Sequence, residues 1–304
     1  MRRPALPWFP HHADVSDSAT LASVVVFGVL LGGVYAAMSY GLGLIYGVMR
    51  IVNLAHGAVL MLAAYAAFAL NTSLGLDPIL AAVIIVPAGY VAGSLLYSTL
   101  VRRVVHGPPM ASLLLLFGVG LVLRNVAYLI WTGDDRSIAV SYGLSTIDMG
   151  VPVPVTKLMI FIFSLVGTGA LYGFLHWTHS GRAMRAVARD PIAAELAGLS
   201  ADKISARAFG VGTALGAFGG VLLSTLYVIN PEFGGSLLLK SFCIIVLGGM
   251  DSIGGILAGA ILLGLAETAA GVYGGTAWQD LISFVLLVGI LVTRPGGLPS
   301  LLRR

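Results

Sequence analysis

The chain is built from long apolar stretches that are separated by short polar segments. A helix needs about 20 apolar residues to cross the hydrocarbon core of a bilayer. We count nine stretches near this length, at 21–48, 54–70, 79–101, 111–131, 156–178, 207–229, 236–250, 254–271 and 278–293. The pattern predicts an all-α integral membrane protein, a polytopic helical bundle of eight or nine transmembrane helices, depending on how residues 21–70 are divided.

Two of the apolar stretches, 54–70 and 236–250, are short and follow polar breaks. Such segments are typical of discontinuous or tilted helices. The breaks share a spacing, since NLAHG at 53–57 and NPEFG at 230–234 both place Asn four residues before Gly. In the second break, Asn230 and the proline after it suit the N-cap and first turn of a helix. We interpret the pair as a possible inverted repeat; the alternative is that so short a spacing arises by chance.

Many glycines are spaced four residues apart within the apolar stretches. They include Gly28/Gly32, Gly89/Gly93, Gly169/Gly173, Gly212/Gly216/Gly220 and Gly255/Gly259. In a membrane helix this spacing forms a groove that a second backbone can enter closely. The glycines therefore predict a densely packed bundle.

The composition excludes a soluble domain. Hydrophobic residues make up 58% of the chain, charged residues 10%, and the mean hydropathy is +0.97, whereas soluble domains carry about 25% charged residues. The net charge of +4 fits the excess of Lys and Arg in cytoplasmic loops. No basic tract with interleaved aromatic residues indicates a nucleic-acid partner, and the one cysteine excludes an internal disulfide.

The charges of the loops predict the orientation. Lys and Arg cluster at 102–103, 182–203 and 294–304. Because such clusters mark cytoplasmic segments, we expect the C-terminus to be cytoplasmic and, with nine crossings, the N-terminus to be periplasmic. Residues 1–20 are expected to form a polar tail, and residues 21–304 a single transmembrane domain.

Polar residues inside or beside the apolar stretches are candidates for a transport pathway, since ionisable groups at membrane depth are costly unless they face protein or water. The candidates are Asn53, His56, Gly57, Asn230, Lys240 and Glu267. The alternative is that they form interhelical hydrogen bonds or reach the membrane surface. For Arg124, close to the acidic segment 132–155, we favour an interfacial position.

Charge is concentrated in residues 181–199, GRAMRAVARDPIAAELAGL. A helix over 181–189 places Arg182, Arg185 and Arg189 on one face. The stripe could contact a soluble partner or anionic lipid headgroups, and both interpretations stay open.

A second short helix is predicted directly after this stripe. Asp190 suits its N-cap, Pro191 its first position and Gly198 its end. Glu195 and small apolar residues such as Ala194 would then offer a contact surface, which lipid binding alone does not explain.

Four blocks of the sequence resemble the permease subunits of branched-chain amino acid ABC importers, a family with urea and amide permeases and, more distantly, ribose-type permeases among its relatives. The blocks are GLGLIYGVMRIVNLAHGAVLMLAAYAA from Gly41, GRAMRAVARDPIAAELAGLSADKI, LLLKSFCIIVLGGMDSIGGILAGAILLGLAE and RPGGL at 294–298. Two positions depart from the family pattern: Arg124 stands where a neutral amide is expected, and Asp251 falls in a turn that is usually uncharged.

The resemblance implies a coupling segment at 180–205 that contacts an ATPase through Arg182, Arg185, Arg189, Asp190, Pro191, Ala194, Glu195 and Gly198. It also implies a second homologous permease subunit, with a heterodimer expected, two ATP-binding cassette ATPases and an extracytoplasmic solute-binding protein. Membrane lipid is a further expected partner, and the bacterial inner membrane the expected location. The implied solute is a branched-chain or other apolar amino acid, with urea, short amides or aromatic acids as alternatives.

Enzymatic motifs are absent from the sequence. There is no G-x4-G-K-[ST] phosphate loop, H-E-x-x-H or G-x-S-x-G, so we expect no cofactor, no metal and no catalytic residue, with ATP hydrolysed by partner subunits. An ion-coupled secondary transporter is the main rival, with Glu267 as its coupling carboxylate. An intramembrane enzyme is a second rival.

Overall fold

The computed structural model describes residues 18–140, 142–143, 145–148, 151–249 and 252–293. The expectations for Asp251, for the RPGGL block and the C-terminus, and for most of the 1–20 tail lie outside the described residues. Within the described ranges the chain forms eleven α-helices. Their bounds are α1 Ser18–Met49, α2 His56–Leu74, α3 Pro78–Thr99, α4 Pro109–Trp131, α5 Val155–Trp177, α6 His179–Arg189, α7 Pro191–Leu196, α8 Ala201–Leu223, α9 Phe233–Gly248, α10 Ile253–Gly274 and α11 Thr276–Thr293.

Each predicted apolar stretch forms one helix, which confirms the polytopic all-α class. In the described residues, seven helices are long and apolar enough to cross a membrane: α1, α2, α3, α4, α5, α8 and α10. Two shorter apolar helices, Phe233–Gly248 and Ala277–Ile290, complete the set.

One boundary was predicted wrongly. The stretch 207–229 was expected to form a helix, whereas α8 begins at Ala201 and ends at Leu223. The polar first turn is stabilised from outside the helix, because Asp202 forms an ion pair with Arg102 at 2.6 Å. Arg102 lies in a 3₁₀ turn, Val101–Arg103, that follows α3.

The loops lie on two opposite sides of the bundle. The first, the hairpin side, contains the turn 75–77, the described residues of 132–154 and the segment 224–232. The second, the arginine side, contains the segments 100–108 and 178–200 together with residues 249 and 252. Since successive membrane helices alternate between these sides, α1 begins on the hairpin side and α11 ends on the arginine side.

The hairpin side carries a small β-hairpin that the sequence did not predict. Strands β1 Thr146–Asp148 and β2 Pro152–Pro154 pair antiparallel. Next to it, the Tyr142 hydroxyl donates to Asp77 Oδ1 at 3.3 Å, and Asp77 caps α3 by accepting from the Ile79 amide at 2.8 Å. Burial, together with the Asp77 carboxylate, raises the pKa of Tyr142, so the phenol keeps the proton that it donates.

Helix α8 lies at the centre of the bundle, and its glycines permit this position. A Cβ added at Gly212 would lie 2.8 Å from the Gly41 oxygen of α1, and one at Gly216 would lie 2.8 Å from the His56 ring of α2. A Cβ at Gly220 would overlap the Leu60 carbonyl. The four-residue glycine spacing of α8 therefore forms the close helix contacts that were predicted.

Candidate functional site

Residues 50–55 form a non-helical segment inside the membrane region. Ala55 Cα lies 3.4 Å from the position of a Cβ on Gly120, which is the middle residue of α4, Pro109–Trp131. Ala55 therefore lies near half the depth of the bilayer. The chain turns back after α1 at Arg50, whose φ of 57° is unusual for a residue with a side chain, and α2 begins at this depth.

Ile51, Asn53 and Ala55 of the non-helical segment are buried in protein. Ile51 and Ala55 pack with Leu116 and Phe209, from α4 and α8, in one apolar cluster. Irregular backbone at membrane depth is tolerated only where protein covers it or where it lines a water-filled cavity. The position of the segment makes the start of α2 a candidate pathway element.

Asn53 stabilises the start of α2. Its side chain is 1% exposed, and Oδ1 accepts a hydrogen bond from the Ala55 amide at 3.1 Å. Its carbonyl oxygen accepts from the His56 amide at 3.1 Å. The side chain is therefore committed to the local backbone.

His56 joins α2 to α1. It is fully buried, its Nε2 lies 2.8 Å from the Met38 carbonyl, and Nδ1 has no hydrogen-bond partner within the described residues. Because a carbonyl can only accept, Nε2 carries the proton that is donated to Met38. The ring faces Gly216 of α8, so it fills the junction of three helices.

The two Asn-x3-Gly segments meet in the structure. A Cβ at Gly57 would overlap the Gly234 carbonyl, and a Cβ at Gly234 would overlap the Gly57 carbonyl. Helices α2 and α9 therefore begin side by side. They run in opposite directions, since α2 ends on the hairpin side and α9 on the arginine side.

Asn230 does not cap α9, so that prediction was wrong. Helix α9 begins at Phe233, and Asn230 lies in the preceding turn, where its carbonyl accepts from the Phe233 amide at 3.0 Å. Its side chain instead donates to Asp135 Oδ1 at 2.9 Å. Asp135 is distant from Asn230 in the sequence, and the hydrogen bond between them determines where the Asn230 side chain lies.

An ion pair that the sequence did not identify lies beside the start of α9. Arg124 Nη1 is 3.1 Å from Glu232 Oε2, with 40% and 62% of the two side chains exposed, and the Tyr128 hydroxyl donates to Glu232 Oε1 at 3.0 Å. Arg124 precedes the end of α4 by seven residues, which is about 10 Å of helix. Exposed charges at this depth are stable where they face water or another protein. The sequence feature that could have indicated this ion pair is the polar NPEFG break, which contains Glu232.

Lys240 and Glu267 form a separate, buried cluster. Lys240 Nζ donates to Glu267 Oε2 at 3.1 Å and to the Tyr35 hydroxyl at 3.2 Å. The hydroxyls of Tyr35 and Ser283 also donate to Glu267, whose residue is 2% exposed. The cluster joins α1, α9, α10 and α11, and it is separate from the contacts of the other pathway candidates.

The arginine side presents the predicted pair of short helices. Thr178 caps α6 by accepting from the Gly181 amide at 3.0 Å, and Asp190 caps α7 by accepting from the Ala193 amide at 3.0 Å. Pro191 occupies the first position of α7. Gly198, with φ of 84°, follows its end.

The surface of α7 is apolar and exposed. Ile192 and Leu196 are 73% and 87% exposed, and Glu195 is exposed between them. Ala194 is only 4% exposed, so it supports α7 from behind and offers no surface to a partner. The sequence pattern predicted a contact surface that contains Leu196 but did not include Ile192.

The three arginines of α6 differ in their surroundings. Arg182 and Arg189 are exposed, and Arg185 is partly buried. Arg185 Nε donates to the Leu175 carbonyl at 3.0 Å, which ties α6 to the end of α5. The predicted stripe is therefore only partly available to a soluble partner.

No group of three or more His, Cys, Asp and Glu side chains in the described ranges lies close enough together to hold a metal ion. Cys243 is buried, and its thiol donates to the Ser283 carbonyl at 3.4 Å.

A bundle of helices that are long and apolar enough to cross a membrane is the architecture of a polytopic all-α membrane protein. The chain belongs to the family described as branched-chain amino acid transport system, permease component, whose family model matches residues 24–291. This membership confirms the resemblance seen in the sequence blocks. It identifies the chain as a permease subunit and does not favour the ion-coupled transporter or the enzyme.

Three similar proteins are described as permease proteins. The high-affinity branched-chain amino acid transport system permease protein LivH of Escherichia coli (strain K12) is 32% identical over 288 residues, which cover 89% of this chain and 92% of LivH. BraD, the permease protein of the same type from Pseudomonas aeruginosa, is 30% identical over 289 residues, covering 90% and 94%. The ribose import permease protein RbsC of Haemophilus influenzae is 29% identical over 167 residues, covering 52% and 50%. Among solved structures, PsaBC from Streptococcus pneumoniae in complex with Fab has a TM-score of 0.48 at 11% identity and covers 91% of this chain and 93% of that chain.

Proposed function

We propose that this permease subunit imports branched-chain or other apolar amino acids across the bacterial inner membrane. The observation that carries the proposal is its similarity to LivH and BraD over nearly the whole length of each chain. The expected assembly contains a second homologous permease subunit, two ATPases and an extracytoplasmic solute-binding protein. The alternative solutes are urea, short amides and aromatic acids, and the test must distinguish them from apolar amino acids.

The arginine side is proposed to be cytoplasmic. It carries Arg102, Arg103, Arg182, Arg185, Arg189 and Lys203, and Lys and Arg are concentrated in cytoplasmic loops. In this orientation α1 begins at the periplasmic side, where the solute-binding protein delivers its solute.

The coupling segment, residues 180–205, is proposed to act through α7. Ile192 and Leu196 form an exposed apolar pair, and Gly198 permits the sharp turn after the helix. An exposed apolar pair at the end of a capped helix fits an apolar cleft of a partner better than it fits water. The ATPases would move α7, and nucleotide shifts the permease between states only through different affinities for the two states.

The translocation pathway is proposed to lie along the face that contains α4 and the start of α9. Only 11% of the apolar stretch of α4 that could cross the membrane is buried within the chain. The side chains of Arg124 and Glu232 are exposed on this surface. A Cβ added at Gly118 or Gly235 would meet no atom within 4 Å. A second permease subunit facing this surface would enclose the ion pair and remove it from lipid.

Among the pathway candidates predicted from the sequence, Gly57 would lie next to the proposed pathway, because it contacts Gly234 near the start of α9. Asn53 and His56 would support it from within the bundle. Lys240 and Glu267 would join four helices at a distance from it.

Uptake by the reconstituted assembly tests the proposal. The permease is co-expressed with its genomic neighbours, placed in proteoliposomes with ATP inside, and supplied with the solute-binding protein and radiolabelled leucine. We expect uptake that requires ATP, the ATPases and the binding protein. Uptake that persists without ATPases and follows an ion gradient would support the secondary transporter instead. ATP-dependent uptake of urea or an aromatic acid, with no leucine uptake, would show that the proposed solute is wrong but would still support ATP-driven import.

A further inference from the structure

An ion pair, Arg124 with Glu232, is exposed within the membrane region. Arg124 Nη1 lies 3.1 Å from Glu232 Oε2, and 40% and 62% of the two side chains are exposed. About 10 Å of α4 separates Arg124 from the end of the helix. Because a charge at this depth is costly in lipid, the pair fits a surface that faces water or a polar molecule.

Further polar residues continue this surface along α4. Gly118, Asn125 and Tyr128 lie on one face of the helix, since they are seven and three residues apart, and all three are exposed. The Asn125 side chain donates to the Leu121 carbonyl at 2.8 Å. Helix α4 therefore presents a polar stripe beside the ion pair, where a surface in contact with lipid would be apolar.

Helix α9 presents a second exposed stripe. Glu232 is followed after three, four and seven residues by Gly235, Ser236 and Leu239, which share its face, and all four are exposed. A Cβ added at Gly235 would meet no atom within 4 Å. Because α4 and α9 run in opposite directions and their side chains meet at Glu232, both stripes extend from the ion pair towards the arginine side.

The ion pair has bonding capacity left for a second pair of charges. Arg124 contacts Glu232 through Nη1, and a guanidinium carries five N–H donors. Glu232 accepts from Arg124 at one oxygen and from the Tyr128 hydroxyl, at 3.0 Å, at the other, although each carboxylate oxygen has two lone pairs. An exposed ion pair contributes little to stability, so a ligand that opens it meets little resistance.

On the basis of the proposed function, we propose that Arg124 and Glu232 bind the charged head of the solute, with the solute carboxylate at Arg124 and its ammonium at Glu232. A zwitterion carries both charges on neighbouring groups, so it replaces each partner of the ion pair that it opens. Its apolar side chain would extend along the two stripes towards Leu239.

The ion pair therefore distinguishes between classes of solute. Urea and short amides have no charge with which to open the pair and replace its partners. An acid without an ammonium group could replace only one of them. We expect the pair to select α-amino acids over all of these solutes.

Protection of a cysteine next to the ion pair tests the proposal. In a Cys243→Ser background, Ser236→Cys places a thiol one helical turn from Glu232. The full assembly in detergent, without binding protein, is treated with a water-soluble methanethiosulfonate reagent, and the rate of modification is measured. Leucine is compared with isocaproate, which lacks the ammonium, with isopentylamine, which lacks the carboxylate, and with urea. We expect leucine to slow the modification and the other three, at the same concentration, to leave its rate unchanged.

Variants of the ion pair connect this protection to the two charges. Arg124→Gln and Glu232→Gln should each raise the leucine concentration for half-maximal protection about tenfold. Arg124→Lys keeps the positive charge and should retain most of the protection, which separates lost binding from lost folding. Arg103→Gln is the control, because Arg103 is an exposed arginine outside both stripes, and its protection should be unchanged.

Uptake and protection separate this inference from the proposed function. Leucine uptake by the assembly without protection, or protection that is unchanged in both Arg124→Gln and Glu232→Gln, would overturn the assignment of the ion pair and leave the proposed function in place. Protection by isocaproate as strong as that by leucine would also overturn it, because Glu232 would then bind no ammonium. ATP-driven uptake of another solute without leucine uptake would contradict the proposed function, and the assignment would fail with it.

Discussion

At the scale of single residues, the buried Glu267 carboxylate is held in place by side chains from several helices. It accepts from Tyr35, Lys240 and Ser283, on three other helices. An ion pair of this kind adds little net stability, but the removal of one partner leaves a buried charge without compensation. The residue therefore has a strong structural requirement whether or not solute passes near it.

Replacing Glu267 tests this requirement. Glu267→Gln removes the carboxylate that the Lys240 ammonium contacts at 3.1 Å, and we expect the free energy of unfolding to fall by about 3 kcal/mol. Thermal unfolding in detergent measures the loss. The double variant Lys240→Met/Glu267→Gln should recover most of it, and a double variant as unstable as Glu267→Gln would show that the charge is not the cause.

The Arg124–Glu232 pair leads to a different expectation, because it is exposed. Arg124→Gln should reduce the rate of solute uptake at least severalfold and leave the yield of folded protein unchanged, since exposed ion pairs contribute little to stability. Uptake and yield are measured in the same preparation. The exchange Arg124→Glu/Glu232→Arg separates the two roles: full recovery of uptake would mean that the pair only joins α4 to α9.

At the scale of elements, the start of α2 and the start of α9 depend on each other. Gly57 and Gly234 pack so closely that a Cβ on either residue would overlap the backbone carbonyl of the other. The close contact between Gly57 and Gly234 therefore fixes the relative position of the two helix starts.

Gly234→Ala is therefore expected to prevent correct packing of the two helices. The neighbouring variant Gly235→Ala is a matched control, because its Cβ would meet no atom within 4 Å and alanine is favoured over glycine in a helix. Monodisperse protein recovered by size-exclusion chromatography should be largely lost in the first variant and kept in the second. Equal recovery would place the two helices further apart than the structure does.

The exposed surface of α7 gives the prediction for coupling. Leu196→Asp should uncouple ATP hydrolysis from uptake, because a carboxylate cannot enter an apolar cleft without a large desolvation cost. Leu74→Asp is the control, since Leu74 is 65% exposed on the opposite, hairpin side. ATPase activity stimulated by the binding protein is compared with uptake in both variants. Normal uptake in Leu196→Asp would show that the exposed surface of α7 does not couple ATP hydrolysis to transport.

At the scale of the whole molecule, local sequence rules found the elements but not the contacts between them. The caps at Asp190 and Gly198 follow from neighbouring residues, so the two short helices were predictable. The hydrogen bond of Tyr35 to Glu267 joins residues 232 positions apart, and no local pattern contains it. Asn230 was misassigned for the same reason, because its partner Asp135 is 95 positions away.

The orientation of the molecule can be tested with single cysteines. In a Cys243→Ser background, Glu195→Cys on the arginine side and Tyr142→Cys on the hairpin side are labelled in intact cells with a membrane-impermeant maleimide. We expect labelling at position 142 only, and labelling at position 195 after the cells are broken. The reverse result would invert the topology and remove α7 from any cytoplasmic ATPase.

The hairpin side links a surface loop to the ion pair. Arg136 and Ile229 form a β-bridge, with backbone hydrogen bonds of 2.9 and 2.7 Å, and Asn230 holds Asp135 at 2.9 Å. Glu232 lies only two residues beyond Asn230. In the proposed orientation, a solute-binding protein that docks on this loop would contact a segment that ends two residues before Glu232. We therefore expect docking to shift the carboxylate that faces Arg124.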